Sequence, residues 1–141
     1  MKFLCLIYNE EDERDAIPAA EWEACIQESI ATAEELRPAG VYLGGQALQP
    51  VRTAVTLRRK RGELSFTDGP FAETKEQLGG YILIEAPDLE AAKQIALTLP
   101  PACLGSVEVR PVWEREDLLA RKVTDKEASG SRESRVASHI S

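Results

Sequence analysis

The order of hydrophobic periodicities along the chain constrains its fold more than any other feature. Two stretches with the 3.6-residue period of an amphipathic helix, 18–37 and 88–99, lie between short runs rich in β-branched and large apolar side chains. Phe3 to Tyr8 is continuously apolar, which suits a strand covered on both faces and central in its sheet. From Pro18 to Arg37, Trp22, Cys25, Ile26, Ser29, Ile30, Ala33 and Leu36 recur at spacings of three and four, while Glu21, Gln27, Glu28, Glu34 and Glu35 mostly take the other side. That pattern predicts a helix with one face turned to the core. Pro18 fits its first turn, where a missing N–H costs little, and Pro38 with Gly40 closes it.

Val41 to Leu43 reads as a strand that stops at Gly44-Gly45. Thr53 to Leu57 and Leu64 to Thr67 alternate apolar with polar residues on either side of Arg58-Arg59-Lys60-Arg61-Gly62. They form a hairpin with Val55, Leu57, Leu64 and Phe66 as its expected buried face, and the basic run is its solvated tip. Gly79 to Glu85 supplies another strand. The second helix begins after Pro87 with Asp88 as its N-cap, turns Leu89, Ala92, Ile95, Ala96 and Leu99 inward, and ends at Pro100-Pro101. Val107 to Val112 is the last strand, and Pro111, lacking a donor, belongs at a sheet edge or a strand end. The sum is an α+β chain with the βαββαβ order of a ferredoxin-like sandwich, plus an extra hairpin between its halves.

With both helices on one face of an antiparallel sheet, the other face would expose an apolar patch of several hundred Å2. Laying two such faces together, at roughly 25 cal/mol per Å2 of apolar area, is the economical cover and predicts a homodimer.

Charge narrows the partners. The 141 residues carry 24 acidic and 17 basic side chains, and the net charge of −7 resides wholly in residues 1–113, which hold 11 basic and 18 acidic groups. Attraction to nucleic acid or to an anionic membrane is therefore disfavoured. No apolar run reaches the roughly 18 residues that span a bilayer, and the opening strand runs straight into the acidic Asn9 to Glu13, a solvated loop without the glycine turn of a calcium site. Cys5, Cys25 and Cys103 are odd in number and widely spaced, so they read as reduced core thiols of a cytoplasmic protein. Residues 114–141 form a separate polar tail: a short helix as far as Val123, then a segment with little to bury and an expectation of disorder.

The single histidine, His139, lies in that tail, so the 1–113 body can assemble neither a Ser-His-Asp nor a Cys-His set, and no metal is expected. No glycine-rich phosphate loop is present, and no cofactor is implied. The segment from Thr67 to Gly80 remains. Gly69 opens backbone angles closed to other residues, Pro70 fixes φ, and Phe71 can anchor the turn in the core. A turn this stiff could hold the Asp68 carboxylate as an acid or base beside the candidate ligand-binding residues Tyr8, Glu73, Lys75 and Arg110. The alternative is that Asp68 caps its own turn while Glu73, Lys75 and Glu76 face solvent. Trp22 and Trp113 read as core or interface anchors.

Thr67 to Glu76 (TDGPFAETKE), Leu78-Gly79-Gly80-Tyr81, and Val107 to Val112, with the opening strand ending in Tyr8 and the Gly44-Gly45 turn, resemble the YCII-related family in its DGPF-motif subgroup. The resemblance covers residues 1–113 and implies ferredoxin-like subunits paired into a dimeric α+β barrel. It also implies an enzyme-like pocket, built around a His and Asp pair in relatives, and a partnership with extracytoplasmic-function sigma factors. Two functions stand side by side: a small-molecule pocket near Asp68, and a non-catalytic regulatory module acting through protein contact.

The sheet-covering argument is tested by sedimentation velocity at micromolar loading. A dimer is the expected species, and a stable solitary chain at that concentration would remove the argument.

Overall fold

The computed structural model describes residues 1–99 and 105–120. In chain order the elements are β1 (Lys2–Asn9), α1 (Glu11–Asp15), α2 (Ala19–Leu36), β2 (Tyr42–Ala47), a 3-10 turn (Val51–Thr53), β3 (Val55–Lys60), β4 (Glu63–Asp68), β5 (Gln77–Glu85), α3 (Leu89–Thr98) and β6 (Ser106–Pro111). Strands β2, β5, β1 and β6 hydrogen-bond in that order into a four-stranded sheet, and β3 with β4 makes a separate two-stranded one. All three pairings of the larger sheet are antiparallel. Without the hairpin, the order is the 4-1-3-2 arrangement of a βαββαβ sandwich. The fold is therefore ferredoxin-like α+β with an inserted hairpin, as the periodicities predict.

The central place of β1 follows from its composition. Phe3, Cys5, Ile7 and Asn9 alternate on one face and are all buried. Phe3 faces Ile84 and Cys5 faces Ile82 across β5, while Val109 and Val107 face Cys5 and Ile7 across β6. Ala92, Ala96 and Leu99 of α3 complete this core. Asp88 caps α3 as expected, its Oδ1 accepting from the Ala91 N–H at 2.8 Å. Leu89, one of the five residues expected inward, is 47% exposed, because it opens the helix beyond the edge of the core. Pro111 ends β6, an edge strand, where its missing donor leaves no ladder bond unmade.

The other face of β1 departs from the reading of a strand covered on both sides. Leu4, Leu6 and Tyr8 are only half-buried, and Leu83 and Tyr81 lie opposite Leu4 and Leu6. No helix covers that face among the described residues, since the helix-side residues all have the opposite parity.

Three more expectations need correction. Strand β2 runs through Gly44 and Gly45 instead of stopping there, because a register shift at Leu43 lets the pairing resume. A Cβ on Gly45 would come within 2.7 Å of the Tyr81 carbonyl oxygen, so only glycine permits this approach. Helix α2 buries no residue fully: Trp22, Cys25, Ser29 and Leu36 are half-buried, while Ile26 and Ile30 are exposed. The hairpin residues expected inward, Val55, Leu57, Leu64 and Phe66, are 46–64% exposed, because β3 and β4 pair only with each other.

Residues 112–120 belong to a second unit, whose backbone is helical at 115–120. The expected end of α3 at Pro100-Pro101, Cys103, the tail's disorder and His139 lie outside the described residues.

Cys5, wholly buried in the main core, has its thiol pushed by desolvation from 9.0 up to about 11. The unfolded chain therefore loses this proton first. The contribution of Cys5 to stability is full below pH 9.0 and is lost as pH rises through about 11. Peptide-mapped alkylation at pH 8.5 should modify Cys5 at least about 100-fold more slowly than the denatured chain. Equal rates would show that the core opens freely.

Candidate functional site

At one end of the sheet, where β1 runs into α1 and β5 begins, a cleft of about 530 Å3 opens. Its walls come from three segments: Tyr8 on β1, Leu48 to Ala54 around the 3-10 turn, and Pro70 to Leu78 in the loop that enters β5. Most of the lining is apolar, and no lining side chain carries a charge. The polar groups that can orient an occupant are the Tyr8 hydroxyl, the Gln49 amide and the Thr53 and Thr74 hydroxyls.

These walls are tied by a chain of hydrogen bonds centred on Glu11 and Gln77. The Glu11 carboxylate accepts from the Val51 N–H at 2.9 Å, and the Glu11 N–H donates to the Gln77 side-chain oxygen at 3.1 Å. The Gln77 amide in turn donates to the Thr74 carbonyl at 2.9 Å. A backbone bond from Leu48 to the Gly79 carbonyl, 2.8 Å, fastens the same turn to β5. The acidic run therefore is not a solvated loop: Asn9 is buried and Glu11 starts a short helix that clamps the cleft. Sequence reasoning had only the residue types Glu and Gln to go on, and nothing in their local spacing reveals partners 40 and 66 residues away.

The Asp68–Phe71 turn is held from outside. Gly69, at φ +103°, donates its N–H to the Ala54 carbonyl at 2.8 Å and accepts from the Thr56 hydroxyl at 2.8 Å. That φ is open to glycine and costly to other residues. Phe71 does not anchor the turn in the core, for it is 78% exposed. Instead Arg58 places its guanidinium 5.5 Å from the Phe71 ring centre and donates to the Phe71 carbonyl at 2.9 Å. At least one member of the basic run is therefore a support for this loop rather than a solvated tip.

The expected cluster around Asp68 does not assemble within one chain. Asp68 ends β4 opposite Val55, exposed, on the hairpin face that also carries Leu57 and Phe66. Glu73 and Lys75 are exposed as well, and neither they nor Asp68 line the cleft. Arg110 lies on β6 opposite Leu4, its Nε 2.8 Å from a Glu108 carboxylate oxygen. Four residues of strand, roughly 13 Å, separate that position from Tyr8. Of the named candidates, Tyr8 alone lines the cleft, together with Pro70, Phe71 and Ala72 of the stiff loop. Among the described residues no group of His, Cys, Asp and Glu could hold a metal ion, and no helix is long and apolar enough to cross a membrane.

Residues 1–116 match the family described as the YCII-related domain. A protein of Rhizobium meliloti (strain 1021), described as uncharacterised, is 39% identical over 114 residues, 79% of this chain and 92% of that relative. Among solved structures, 5-chloro-2-hydroxyhydroquinone dehydrochlorinase from Burkholderia phenoliruptrix AC1100, in complex with 2,5-dihydroxybenzoquinone, is similar with a TM-score of 0.42 and 16% identity. That likeness covers 82% of this chain and 97% of the other.

The clamp makes a local prediction. Glu11→Ala removes a charged acceptor from the Val51 N–H and should cost about 1–3 kcal/mol. Hydrogen exchange at Val51 should accelerate by about tenfold or more, while the β1–β5 ladder at Leu4 and Leu83 follows only the global loss. Unchanged exchange at Val51 would show that the turn does not depend on Glu11.

Proposed function

The chain belongs to the YCII-related domain family, and from that premise we propose that it binds a small uncharged molecule in the cleft between Tyr8 and the Pro70–Ala72 loop. The observation that carries this reading is the convergence of three chain segments, cross-tied through Glu11 and Gln77, on a largely apolar concavity with a few hydroxyl and amide groups. An uncharged lining favours a neutral ligand, because a buried ion without a partner is costly. The best-supported assembly is a homodimer through the sheet face that carries Leu4, Leu6, Leu83 and Tyr81, giving the dimeric α+β barrel. Tyr8 shares that face, so a second copy would close the open side of the cleft.

Within a single subunit the reading is binding, not proton transfer. The Asp68 carboxylate is exposed and outside the cleft, so a role as acid or base would need an approach from another copy. A second reading, protein contact without catalysis, is favoured by one observation. The hairpin leaves Val55, Leu57, Leu64 and Phe66 uncovered beside Arg58 to Arg61, the kind of apolar surface that marks an interaction site. The sigma-factor partnership belongs to that reading and draws no support from the cleft.

A ligand-observed NMR screen of the full chain against a neutral metabolite and fragment set separates the two. Hits should shift the amides of Val51, Ala72 and Thr74. Tyr8→Phe and Phe71→Ala should each weaken them by roughly 3–10-fold, while Asp68→Asn leaves affinity unchanged. A screen without hits at the cleft would sink the small-molecule reading. A large loss in Asp68→Asn would return that carboxylate to the site.

A further inference from the structure

A second cavity, about 240 Å3, lies between α2 and the helix-facing side of the sheet and shares no lining residue with the cleft. It exists because this part of the sheet has almost no side chains to fill it. Gly45, Gly79 and Gly80 make much of its floor, and α2 above them packs no residue to full burial. Ile7 and Ile82 rise from the strands, and Trp22, Ile26 and Ser29 descend from the helix. Tyr42 closes one side, with Arg37 stacked on its ring 5.1 Å away.

Asn9 gives the cavity its chemistry. It is 7% exposed, it lines the cavity, and its side-chain oxygen is buried without a hydrogen-bond partner among the described residues. A buried amide oxygen left unpaired is unfavourable and is rare in folded proteins unless something outside the chain satisfies it. A Cβ at Gly79 would stand 3.1 Å from the Asn9 amide nitrogen and 3.2 Å from its amide oxygen, so the amide lies against bare backbone on the cavity floor.

From this geometry we infer that the cavity under α2 is a second binding site, taking an uncharged, one-ring molecule whose hydroxyl donates to Asn9 Oδ1. Three features set the class. An apolar cavity of about 150 Å3 holds benzene, so about 240 Å3 accommodates a ring with one or two small substituents. No Asp, Glu, Lys or Arg lines the cavity, so a charged ligand would be desolvated without compensation. The Trp22 and Tyr42 rings offer aromatic walls, and a hydroxyl, which both donates and accepts, suits the Asn9 amide in either orientation.

The test uses p-cresol and its near-isostere p-xylene, which lacks the hydroxyl, titrated into the full-length chain with amide NMR detection. p-Cresol should bind at least about tenfold more tightly, with shifts at Asn9, Ser29, Gly79 and Gly80. Asn9→Leu should erase the difference between the two probes. Ile26→Trp, at a lining position of α2 that is still 38% exposed, should fill the cavity and remove both. Should Asn9→Leu fail to fold, the native chain and Ile26→Trp still decide the matter. Equal affinities for the two probes, no binding of either at millimolar concentration, or binding unaffected by Ile26→Trp would each overturn the inference.

Discussion

Strand β1 is the constraint on which everything else rests. Among the described residues it joins β5 to β6, each far away in sequence, and its register against each decides which residues the sheet buries. A slip of one residue would carry Phe3, Cys5 and Ile7 to the open face and put Leu4, Leu6 and Tyr8 under the helices. Full burial of Phe3 and Cys5 locks the register, Phe3 alone being worth roughly 1.5–3 kcal/mol when removed from water. The same lock places Tyr8 at the cleft and Asn9, one residue further, at the cavity on the opposite face. One strand end thus serves two concavities because the side-chain period is two.

The elements were legible where a local pattern meets a local cause. The α3 cap at Asp88, the strand-ending Pro111 and the apolar alternation of β1 are set by the residues themselves, so reading them required no knowledge of distant partners. What escaped was decided at long range. The hairpin alternates as cleanly as any half-buried strand, but alternation says only that one face is apolar, not that the chain supplies a cover for it. Helix α2 shows a full apolar stripe, yet the glycines beneath it lower the sheet surface, and Ile26 and Ile30 stay 38% and 47% exposed.

The candidate site shows the same division. Sequence reasoning singled out, from Gly69 and Pro70, a loop that lines the cleft, because backbone stiffness is a local property. It then chose the loop's charged residues, Asp68, Glu73 and Lys75, which the structure leaves at the surface. The charged groups that do shape the cleft are Glu11 and Arg58, and both act on backbone: Glu11 accepts from Val51 and Arg58 donates to Phe71. Such bonds have no motif, since any residue offers an N–H and a C=O. A carboxylate bonded to a backbone donor positions the wall of the cleft.

Both concavities therefore speak the same chemical language. Their linings contain aromatic rings, aliphatic chains, hydroxyls and amides, and no ionic group. In a chain with 29% charged residues, two uncharged hollows meeting at the end of one strand amount to segregation of charge from the places where a ligand would be desolvated. Recognition there must come from shape and from hydrogen bonds that are made in full or missed in full, which discriminates a hydroxyl from a methyl far better than it discriminates one methylene from two. Proton transfer would demand a titratable group brought to such a lining, and Asp68, at the end of the exposed hairpin, lies outside both linings.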